Sequence, residues 1–395
     1  MKKIFITLVL LSIYGISANA QWQKTSCPSG GETLCLAVND SNIFAGTQDS
    51  GIYRSSNYGK TWVKIDTGLK HSAISSLAIK DSIVFAGTQD SGMFMSSNYG
   101  NTWALLNNGL PTTNNFTAIA INDTNIFAAI YGKGIYMSSN NGQNWAAINN
   151  GLGNKLVMSL FAYGDTLFTG TELGPTFWSL NNGINWDTMN TGIPTSYTVV
   201  SFAVSGNNIY AGTSYGMVYR SSNFGNSWDT TGLLSHNILN AIVPFGDTIY
   251  AGTWNDGVLV SDSLGVTWTS YNIGLTDTTI KALARSGKYM FAGTDSGGVW
   301  EMSIPILGIN ELKNNENHIL IYPNPVTSII TIDVGNLQSK INDLKIYDVV
   351  GNLILEKRIN YYNKTNINVS TFPSGVYIIE AMTEKGMVVS KFVKE

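Results

Sequence analysis

One eight-residue stretch occurs six times in this chain of 395 residues and constrains its fold more than any other feature. The stretch reads Ser-x-Asn-x-Gly-x-(Thr, Ser or Asn)-Trp, and only the last copy differs, with Ser263 in place of Asn. The copies occupy residues 55–62, 96–103, 138–145, 179–186, 221–228 and 261–268. An aromatic residue precedes each Trp by 18 positions, at Phe44, Phe85, Phe127, Phe168, Tyr210 and Tyr250. A period of 40 to 42 residues predicts a solenoid or a propeller.

Each repeat contains four segments with the composition of short strands. In the second repeat these are residues 75–79, 83–88, 92–97 and 102–106, separated by turns rich in Asp, Ser, Asn and Gly. Aromatic and β-branched runs between such turns are typical of antiparallel strands. Four antiparallel strands per repeat predict the blade of an all-β propeller.

The two ends of the repeat region predict a seventh blade. A seventh opening run at 291–294 has no Trp 18 positions after its aromatic residue. Trp22, however, precedes Phe44 by 22 residues, a spacing also found between successive repeats. We therefore expect residues 22–25 to supply the outer strand of the last blade. A seven-bladed β-propeller over residues 21–303 would then close without an open edge.

One position of the predicted first strand is small in all seven repeats, and the next position is large and apolar. The small residues are Cys35, Ser76, Ala118, Ser159, Ser201, Ala241 and Ala282. The large residues are Leu36, Leu77, Ile119, Leu160, Phe202, Ile242 and Leu283. We interpret the small column as crowding of first strands around a narrow channel, and the large column as contact between neighbouring blades.

The repeated stretch resembles the Asp-box, a turn found in sialidases, sortilin-like receptors, photosystem assembly factors and xyloglucan-cleaving hydrolases. The resemblance covers residues 21 to about 303, with Asn or Ser where the box often has Asp. It implies a turn between the third and fourth strands, with a Gly in a conformation that other residues resist and a buried Trp. The boxes are therefore expected to be architectural, and they say little about activity.

Three segments lie outside the repeats. Residues 1–20 have the charged start, apolar middle and Ala-Asn-Ala end of a secretory signal peptide, whose apolar run is too short for a comfortable membrane span. Residues 304–317 contain Pro, Gly and a polar run, and are predicted to be a linker. Residues 318–395 contain seven short strand-like runs, which predict a small immunoglobulin-like β-sandwich.

Residues 318–395 are similar to the type A sorting domain of the type IX secretion system of Bacteroidota. The similarity rests on four ordered motifs at 322–325, 346–351, 372–377 and 391–394. The motif residues are Tyr322, Pro323, Asn324, Pro325, Gly351, Gly375, Tyr377 and Lys391. The resemblance implies the type IX secretion machinery as a partner and a secreted or outer-membrane surface location. A generic adhesive sandwich is the alternative.

Blade topology places the boxes at one end of the propeller and the turns between second and third strands at the other end. Side chains at this second end vary from blade to blade, and aromatic rings beside carboxylates are suited to stacking on a sugar or gripping a peptide. The candidate ligand-binding residues are Trp254, Tyr215, Tyr131, Glu172, Asp256, Asp295, Asp90 and Asp49. Because Asp-Ser-Gly recurs at 49, 90 and 295, ordinary turn chemistry is the alternative for those positions.

Two classes of function compete. A sialidase needs an arginine triad, whereas this propeller region has only Arg54, Arg220 and Arg285, two of them in one third-strand position. Xyloglucan-cleaving relatives use two propellers and two catalytic carboxylates, whereas this chain has one propeller with short loops. We therefore expect a non-catalytic, secreted or surface-exposed binding protein for a glycan or a protein, and a glycoside hydrolase is the alternative.

Composition narrows the remaining chemistry. Charged residues make up 12% of the chain, the net charge is -3 and basic residues do not cluster, which argues against nucleic acid as a partner. His71, His236 and His318 show no metal-ligand spacing, so neither a metal nor a cofactor is expected. Cys27 and Cys35 either form a disulfide between the last and first blades or stay separate. We expect a monomer with no membrane-spanning segment in its mature form.

Overall fold

The computed structural model describes residues 21–27, 31–69, 73–112, 114–189, 191–233, 237–296, 298–304, 320–333, 341–348, 352–361, 364–383 and 386–395. The predicted signal peptide lies outside the described residues. The described residues form β-strands joined by turns, and the predicted all-β fold is confirmed. The chain divides into two compact units, Met1–Ile306 and Leu307–Glu395.

Seven four-stranded antiparallel sheets make up the first unit. The first strand is β1 (Gln23–Lys24). Four sheets follow: β2 (Thr33–Asn39), β3 (Asn42–Thr47), β4 (Ile52–Ser55) and β5 (Val63–Lys64); β6 (Ile74–Lys80), β7 (Ile83–Thr88), β8 (Met93–Ser96) and β9 (Ala104–Leu105); β10 (Phe116–Ile121), β11 (Ile126–Ile130), β12 (Gly134–Ser138) and β13 (Ala146–Ala147); β14 (Val157–Tyr163), β15 (Thr166–Thr171), β16 (Phe177–Ser179) and β17 (Asp187–Thr188).

The remaining strands of this unit complete three more sheets. They are β18 (Val199–Ser205), β19 (Asn208–Thr213), β20 (Met217–Ser221) and β21 (Asp229–Leu233); β22 (Leu239–Phe245), β23 (Thr248–Thr253), β24 (Val258–Ser261) and β25 (Thr269–Ser270); β26 (Ile280–Ser286), β27 (Tyr289–Thr294) and β28 (Gly298–Ser303), with β1 as the fourth strand of the last sheet. The first strand of each sheet contacts the first strand of the next, and β26 contacts β2. The sheets are therefore the blades of a closed ring.

The ring is closed by the strand near the start of the propeller that was predicted to complete the last blade. In β1, Gln23 pairs with Glu301 and Lys24 pairs with Trp300 of β28. Just before β1, Trp22 is 1% exposed, and its Nε1 donates a hydrogen bond to the Tyr271 carbonyl of the sixth blade at 2.8 Å. The prediction that residues 22–25 complete the last blade is confirmed by this pairing.

The small first-strand residues face the next blade. Cys35 Sγ donates to the Ile74 carbonyl at 3.2 Å, and Ser159 Oγ donates to the Val199 carbonyl at 2.7 Å. The facing glycine is equally confined, since a β-carbon on Gly46 would lie 2.6 Å from both Cys35 Sγ and Ile74 Cγ2. These positions are small because the neighbouring blade passes directly beside them, which differs from the expected crowding at the channel.

Each box folds into the same hydrogen-bonded turn. In the first box, Asn57 Oδ1 accepts from the Thr61 backbone N–H and the buried Ser55 Oγ accepts from the Gly59 N–H, both at 2.9 Å. The equivalent two bonds recur in the other five boxes. Gly59 has a φ of +81°, and Tyr58 before it also has a positive φ, of 55°, a region that side chains other than Gly, Asn and Asp resist.

The box tryptophans are not equally buried, which corrects the expectation for two of them. Four are buried: Trp103, Trp145, Trp186 and Trp228. Trp103 Nε1 donates to the Ile65 carbonyl of the preceding blade at 2.7 Å. Trp62 and Trp268 are half-buried, and Trp62 Nε1 donates instead to Gly59 of its own box at 3.0 Å. The Nε1 bonds of these two rings stay within their own boxes, although both rings also pack at the edge of a core shared with the preceding blade.

The two cysteines are free thiols, so the structure favours the second alternative considered for them. Cys27 is buried with Phe291 and Val299 in the core between the last and first blades. Burial raises the pKa of the Cys27 thiol to about 12, and burial also raises the pKa of Cys35. Both thiols are therefore protonated at neutral pH and are poor nucleophiles.

The second unit contains two antiparallel sheets. Its strands are β29 (Leu320–Tyr322), β30 (Ile329–Asp333), β31 (Ile341–Asp348), β32 (Leu353–Tyr361), β33 (Lys364–Asn368), β34 (Gly375–Thr383) and β35 (Gly386–Lys394). The sheet orders are β29-β30-β33 and β32-β31-β34-β35. Apolar side chains from both sheets, including Ile330, Ile367, Leu344 and Phe392, form one buried core. Seven strands thus lie in two sheets around one core, and the immunoglobulin-like arrangement stays a prediction.

The first residue of the predicted linker packs with the last blade. Ile304 is 3% exposed and belongs to the core of the last blade. Its backbone N–H donates to the Lys288 carbonyl at 2.7 Å. The first unit therefore includes Ile304, and the rest of the predicted linker lies outside the described residues.

Candidate ligand-binding face

Seven equivalent residues form a ring at the end opposite the boxes. Each follows the second strand of its blade, and its backbone N–H donates to the carbonyl just before the first strand of the same blade, over 2.8 to 3.1 Å. The donors are Gln48, Gln89, Tyr131, Glu172, Ser214, Trp254 and Asp295, and we call them the mouth ring. The boxes lie at the other end of the propeller. There the Tyr58 N–H of the first box donates to the Ser41 carbonyl, in the turn between β2 and β3, at 3.1 Å. The backbone thus fixes seven variable side chains beside the innermost strands.

Trp254 and Asp295 are brought together by a lysine that was not among the predicted ligand-binding residues. Lys281 Nζ lies 3.7 Å from the centroid of the Trp254 ring and 3.1 Å from Asp295 Oδ1, and it also pairs with Glu32 Oε1. The Lys281 side chain is only 12% exposed. One ammonium group therefore links the sixth, seventh and first blades at this end of the ring through cation–π and ionic contacts.

Asp277 orders the loop beneath this cluster. Its carboxylate accepts hydrogen bonds from the Ser296 N–H and hydroxyl at 2.8 and 2.9 Å and from the Thr279 N–H at 3.1 Å. Burial acts to raise the pKa of Asp277, but the hydrogen bonds from Ser296 and Thr279 outweigh it and lower the pKa below its usual value. Thr279 in turn supplies the carbonyl that holds Asp295. The anionic side chain is therefore a fixed part of the loop.

Tyr131 and Glu172, two other predicted residues, contact each other across the third and fourth blades. The Tyr131 hydroxyl donates to Glu172 Oε2, and this hydrogen bond raises the pKa of Tyr131. The Tyr131 side chain is 37% exposed. The pair presents an aromatic ring and a carboxylate to solvent in a fixed arrangement.

The other predicted residues differ in their surroundings. Tyr215 lies against Tyr197, with ring centroids 4.9 Å apart. Asp256 Oδ2 accepts from Asn237 Nδ2 at 2.8 Å, which ties it to the loop entering the sixth blade. Asp49 and Asp90 are exposed turn residues. Contacts across blades therefore unite Trp254 with Asp295 and Tyr131 with Glu172.

All three arginines of the propeller lie towards the box end. Arg54 Nη2 donates to Asn42 Oδ1 at 2.8 Å, and its guanidinium lies 4.9 Å from the Tyr99 ring. Arg285 Nη1 donates to the Gly287 carbonyl in the turn between the first and second strands. Arg220 occupies the same third-strand position as Arg54. They are thus remote from the mouth ring and do not converge there as a carboxylate-binding triad would.

The described residues contain no group of three or more His, Cys, Asp or Glu side chains placed to hold a metal. The three histidines considered for such a role, His71, His236 and His318, lie outside the described residues.

In the second unit, the predicted sorting motifs at 322–325 and 372–377 contact the last strand. Asn324 Oδ1 accepts from the Val393 N–H at 2.8 Å, and Asn324 Nδ2 donates to the Lys391 carbonyl at 3.4 Å. Tyr377 donates its hydroxyl hydrogen to the Pro373 carbonyl at 2.8 Å, and its ring stacks on Phe392.

The remaining motif residues have more exposed positions. Tyr322, Pro323, Pro325 and Gly375 are exposed, and the Tyr322 hydroxyl accepts from Lys364 Nζ at 2.9 Å. Gly351 lies outside the described residues.

Comparison with protein families assigns this tail. Residues 320–395 match the model of the secretion system C-terminal sorting domain. The chain carries a secretion sorting domain. This sorting domain indicates export by the type IX system to the cell surface or the extracellular space. Residues 52–65 match the BNR-Asp box repeat. Within the described ranges, no helix is long and apolar enough to span a membrane.

Solved structures similar to this chain are β-propellers. A structure of YCF48 bound to D1 peptide has 13% identity and a TM-score of 0.59, covering 71% of this chain and 96% of its own. PorZ, a surface component of the type-IX secretion system of Porphyromonas gingivalis, has 14% identity and a TM-score of 0.58, covering 93% of this chain and 60% of its own.

The GH74 xyloglucanase from Xanthomonas campestris has 14% identity and a TM-score of 0.58, covering 80% of this chain and 59% of its own. No curated protein matches in sequence. At these identities the similarities show the fold and leave the activity open, since one fold hosts many functions.

Proposed function

We propose that this chain is a non-catalytic binding propeller that acts outside the cell and binds a glycan or a protein on the mouth ring. The type IX secretion machinery is its partner during export. In its final location the propeller presents the mouth ring to its ligand, while the boxes serve the architecture.

The contrast between the two ends of the propeller carries this proposal. The box end repeats one hydrogen-bonded turn six times. The mouth ring uses an equally regular backbone bond but presents a different side chain in most blades. Trp254, Tyr131 and Tyr215 expose 37 to 53% of their surface although each is held by a neighbouring residue. Fixed, half-exposed aromatic rings lose little conformational entropy on binding.

A glycoside hydrolase is the second candidate, favoured by the similarity to a GH74 xyloglucanase. The geometry supports it less. Glu172 is hydrogen-bonded to Tyr131, and Asp256 to Asn237. Each carboxylate is thus engaged by a polar neighbour, whereas a glycosidase needs two carboxyl groups placed on either side of the scissile bond.

The two candidates are separated by one set of measurements on the mature chain. Glycan and peptide arrays identify ligands, and reducing-end assays on the bound polysaccharides measure turnover. We expect binding without turnover, with binding weakened by Trp254→Ala. Turnover that is abolished by Glu172→Gln or Asp256→Asn would instead establish an enzyme. If Trp254→Ala, Tyr215→Ala and Tyr131→Ala all left the binding affinity unchanged, the site would lie elsewhere.

A further inference from the structure

The mouth ring and its neighbouring loops are divided into an apolar arc and an acidic arc. The apolar arc runs over the third to sixth blades, where five apolar side chains of successive turns and loops are exposed: Tyr131 37%, Leu173 72%, Tyr215 53%, Ile238 39% and Trp254 38%. Isolated exposed apolar residues are ordinary. A run of five on one end of consecutive blades is typical of an interaction surface.

Leu173 shows that the exposure in this arc is built into the backbone. It has a φ of 44°, in the left-handed region, and its N–H donates to Thr198 Oγ1 at 3.0 Å. A leucine with this conformation costs conformational energy that Gly or Asn would avoid. The loop therefore holds an apolar side chain outward at a cost, and such strain clusters at ligand-binding positions.

The acidic arc covers the seventh, first and second blades. Its carboxylates are Asp295, Glu32, Asp49 and Asp90. The ammonium group of Lys281 is enclosed by Glu32, Asp295 and the Trp254 ring, so it offers little positive charge to a ligand.

Among the described residues of the turns and inter-blade loops at this end, Lys133 and Lys155 are the exposed ammonium groups without a neighbouring acid of their own turn. They lie at the far side of the apolar arc, in the third blade and the loop into the fourth. Lys64 is paired with Asp66 at 2.7 Å. Lys24, at the position of the last blade equivalent to Lys64, is also exposed. Against Lys281 and Lys24, the four carboxylates still leave the described residues of the acidic arc with a net negative charge, and the two arcs meet at Trp254 and Asp295.

We infer that this divided surface docks an extended segment of a partner protein that carries apolar side chains beside lysine or arginine side chains. The apolar side chains would contact the arc from Tyr131 to Trp254, and the basic side chains would contact the arc from Asp295 to Asp90. Charge complementarity favours this occupant. The acidic arc would repel an acidic polymer, and a neutral glycan would gain no ionic contact from it. The inference rests on the proposed function and specifies its ligand.

The test uses random dodecapeptides displayed on phage and panned on the full mature chain. We expect enriched peptides to combine aromatic or aliphatic residues with Lys or Arg. Synthetic copies should bind more weakly as salt rises, because exposed charges are screened over about 8 Å at physiological ionic strength. Asp49→Asn with Asp90→Asn should weaken binding by about five- to tenfold, as expected for two exposed ion pairs, and Leu173→Ser by a similar factor.

Matched control variants lie at the box end. Leu180→Ser removes a leucine that is 62% exposed in the fourth box, and Asp262→Asn removes an exposed carboxylate in the sixth. Both should leave peptide binding unchanged, and melting temperatures confirm that every variant is folded. The inference would be overturned if the selected peptides were not enriched in Lys or Arg. It would also be overturned if Asp49→Asn with Asp90→Asn left peptide affinity unchanged.

The outcomes also separate the inference from the proposed function. A glycan that binds the wild type and is lost with Trp254→Ala, while no peptide binds, keeps the mouth ring as the site but rejects the protein segment. Peptide binding that is lost in the Leu180→Ser control and kept in Leu173→Ser would reject both, because it would place the ligand on the box end.

Discussion

At the scale of single residues, the boxes combine a regular hydrogen-bond pattern with local strain. In every box the residue before the Gly has a positive φ, although it is Tyr, Phe or Leu in four of them. The Asn that occupies this position in the third and fourth boxes is better suited, since its short polar side chain tolerates the left-handed region. The boxes therefore contain positions that are not optimised for stability.

Leu264, with a φ of 54°, provides a test of this strain. Leu264→Asn should stabilise the protein by about 1 kcal/mol, because Asn relieves the left-handed penalty. Leu264→Ala is the control, since it also shortens the side chain but lacks the polar group by which Asn tolerates the left-handed region. Urea unfolding measures the difference, and an Asn variant no more stable than the Ala variant would show that the turn is unstrained.

The two environments of the box tryptophans lead to a second residue-scale prediction. Trp103 is 7% exposed and donates to the preceding blade, whereas Trp62 is half-buried and donates within its own box. Trp103→Ala should therefore destabilise the protein by about 3–5 kcal/mol, and Trp62→Ala by clearly less. Equal losses in denaturant unfolding would contradict the assignment of Trp103 to the junction between blades.

At the scale of elements, the junctions between blades depend on a few precise contacts. Five of the seven box-position tryptophans donate their backbone N–H to a carbonyl of the preceding blade: Trp22, Trp103, Trp145, Trp186 and Trp228. Trp22 has this role although no box precedes it. The last junction is thus made by the same kind of residue as the others, supplied from the opposite end of the propeller.

Removing the closing strand should open the ring. Deletion of residues 22–25 removes the pairing of β1 with β28 and the buried Trp22, and it exposes the edge of β28. We expect a sharply lower melting temperature and an increased tendency to aggregate, because exposed sheet edges pair with other chains. Trp22→Ala, which keeps the strand, should have an intermediate effect. A melting curve unchanged by the deletion would exclude closure by β1.

The elements show which features were predictable from sequence. A constant 18-residue interval predicted the strands of every blade, because turn and strand residues recur in fixed positions. Contacts across blades were not predictable in the same way. Lys281 occupies a first-strand position where the other blades have no charge, and only the folded ring shows that Trp254, Glu32 and Asp295 surround it.

The glycine of the Ala-Gly-Thr runs belongs to the same class of missed features. At Gly46, for example, glycine is required because Ile74 of the neighbouring blade lies close to it, and a local sequence pattern does not predict that distance. The half-burial of Trp62 was missed for a similar reason, since a box motif fixes its own turn but not the shape of the preceding blade.

At the scale of the whole molecule, the sorting domain and the propeller for which we propose ligand binding are different units. The sorting domain has its own core, formed by side chains of both its sheets. Its motifs at 322–325 and 391–394 contact each other through Asn324. The domain therefore contains within itself the features by which it matches its family.

A truncation and a fusion test this division. A chain without residues 318–395 should reach the periplasm and stay there, whereas a neutral reporter fused to those residues should reach the surface of a bacterium with the type IX machinery. Cell fractionation and surface labelling give the distribution. Normal amounts of the truncated chain outside the cell would contradict the role of the sorting domain.

Paired dissociation constants decide whether ligands bind the mouth ring while the boxes serve the architecture. Isothermal titration of an array ligand compares the wild type with Trp254→Ala at the mouth ring and Leu180→Ala at the box end. An aromatic anchor of this kind contributes about 2 kcal/mol to binding, so Trp254→Ala should raise the dissociation constant about thirtyfold, and Leu180→Ala should leave it unchanged. An unchanged constant for Trp254→Ala together with a weakened one for Leu180→Ala would place the ligand on the boxes and contradict the account.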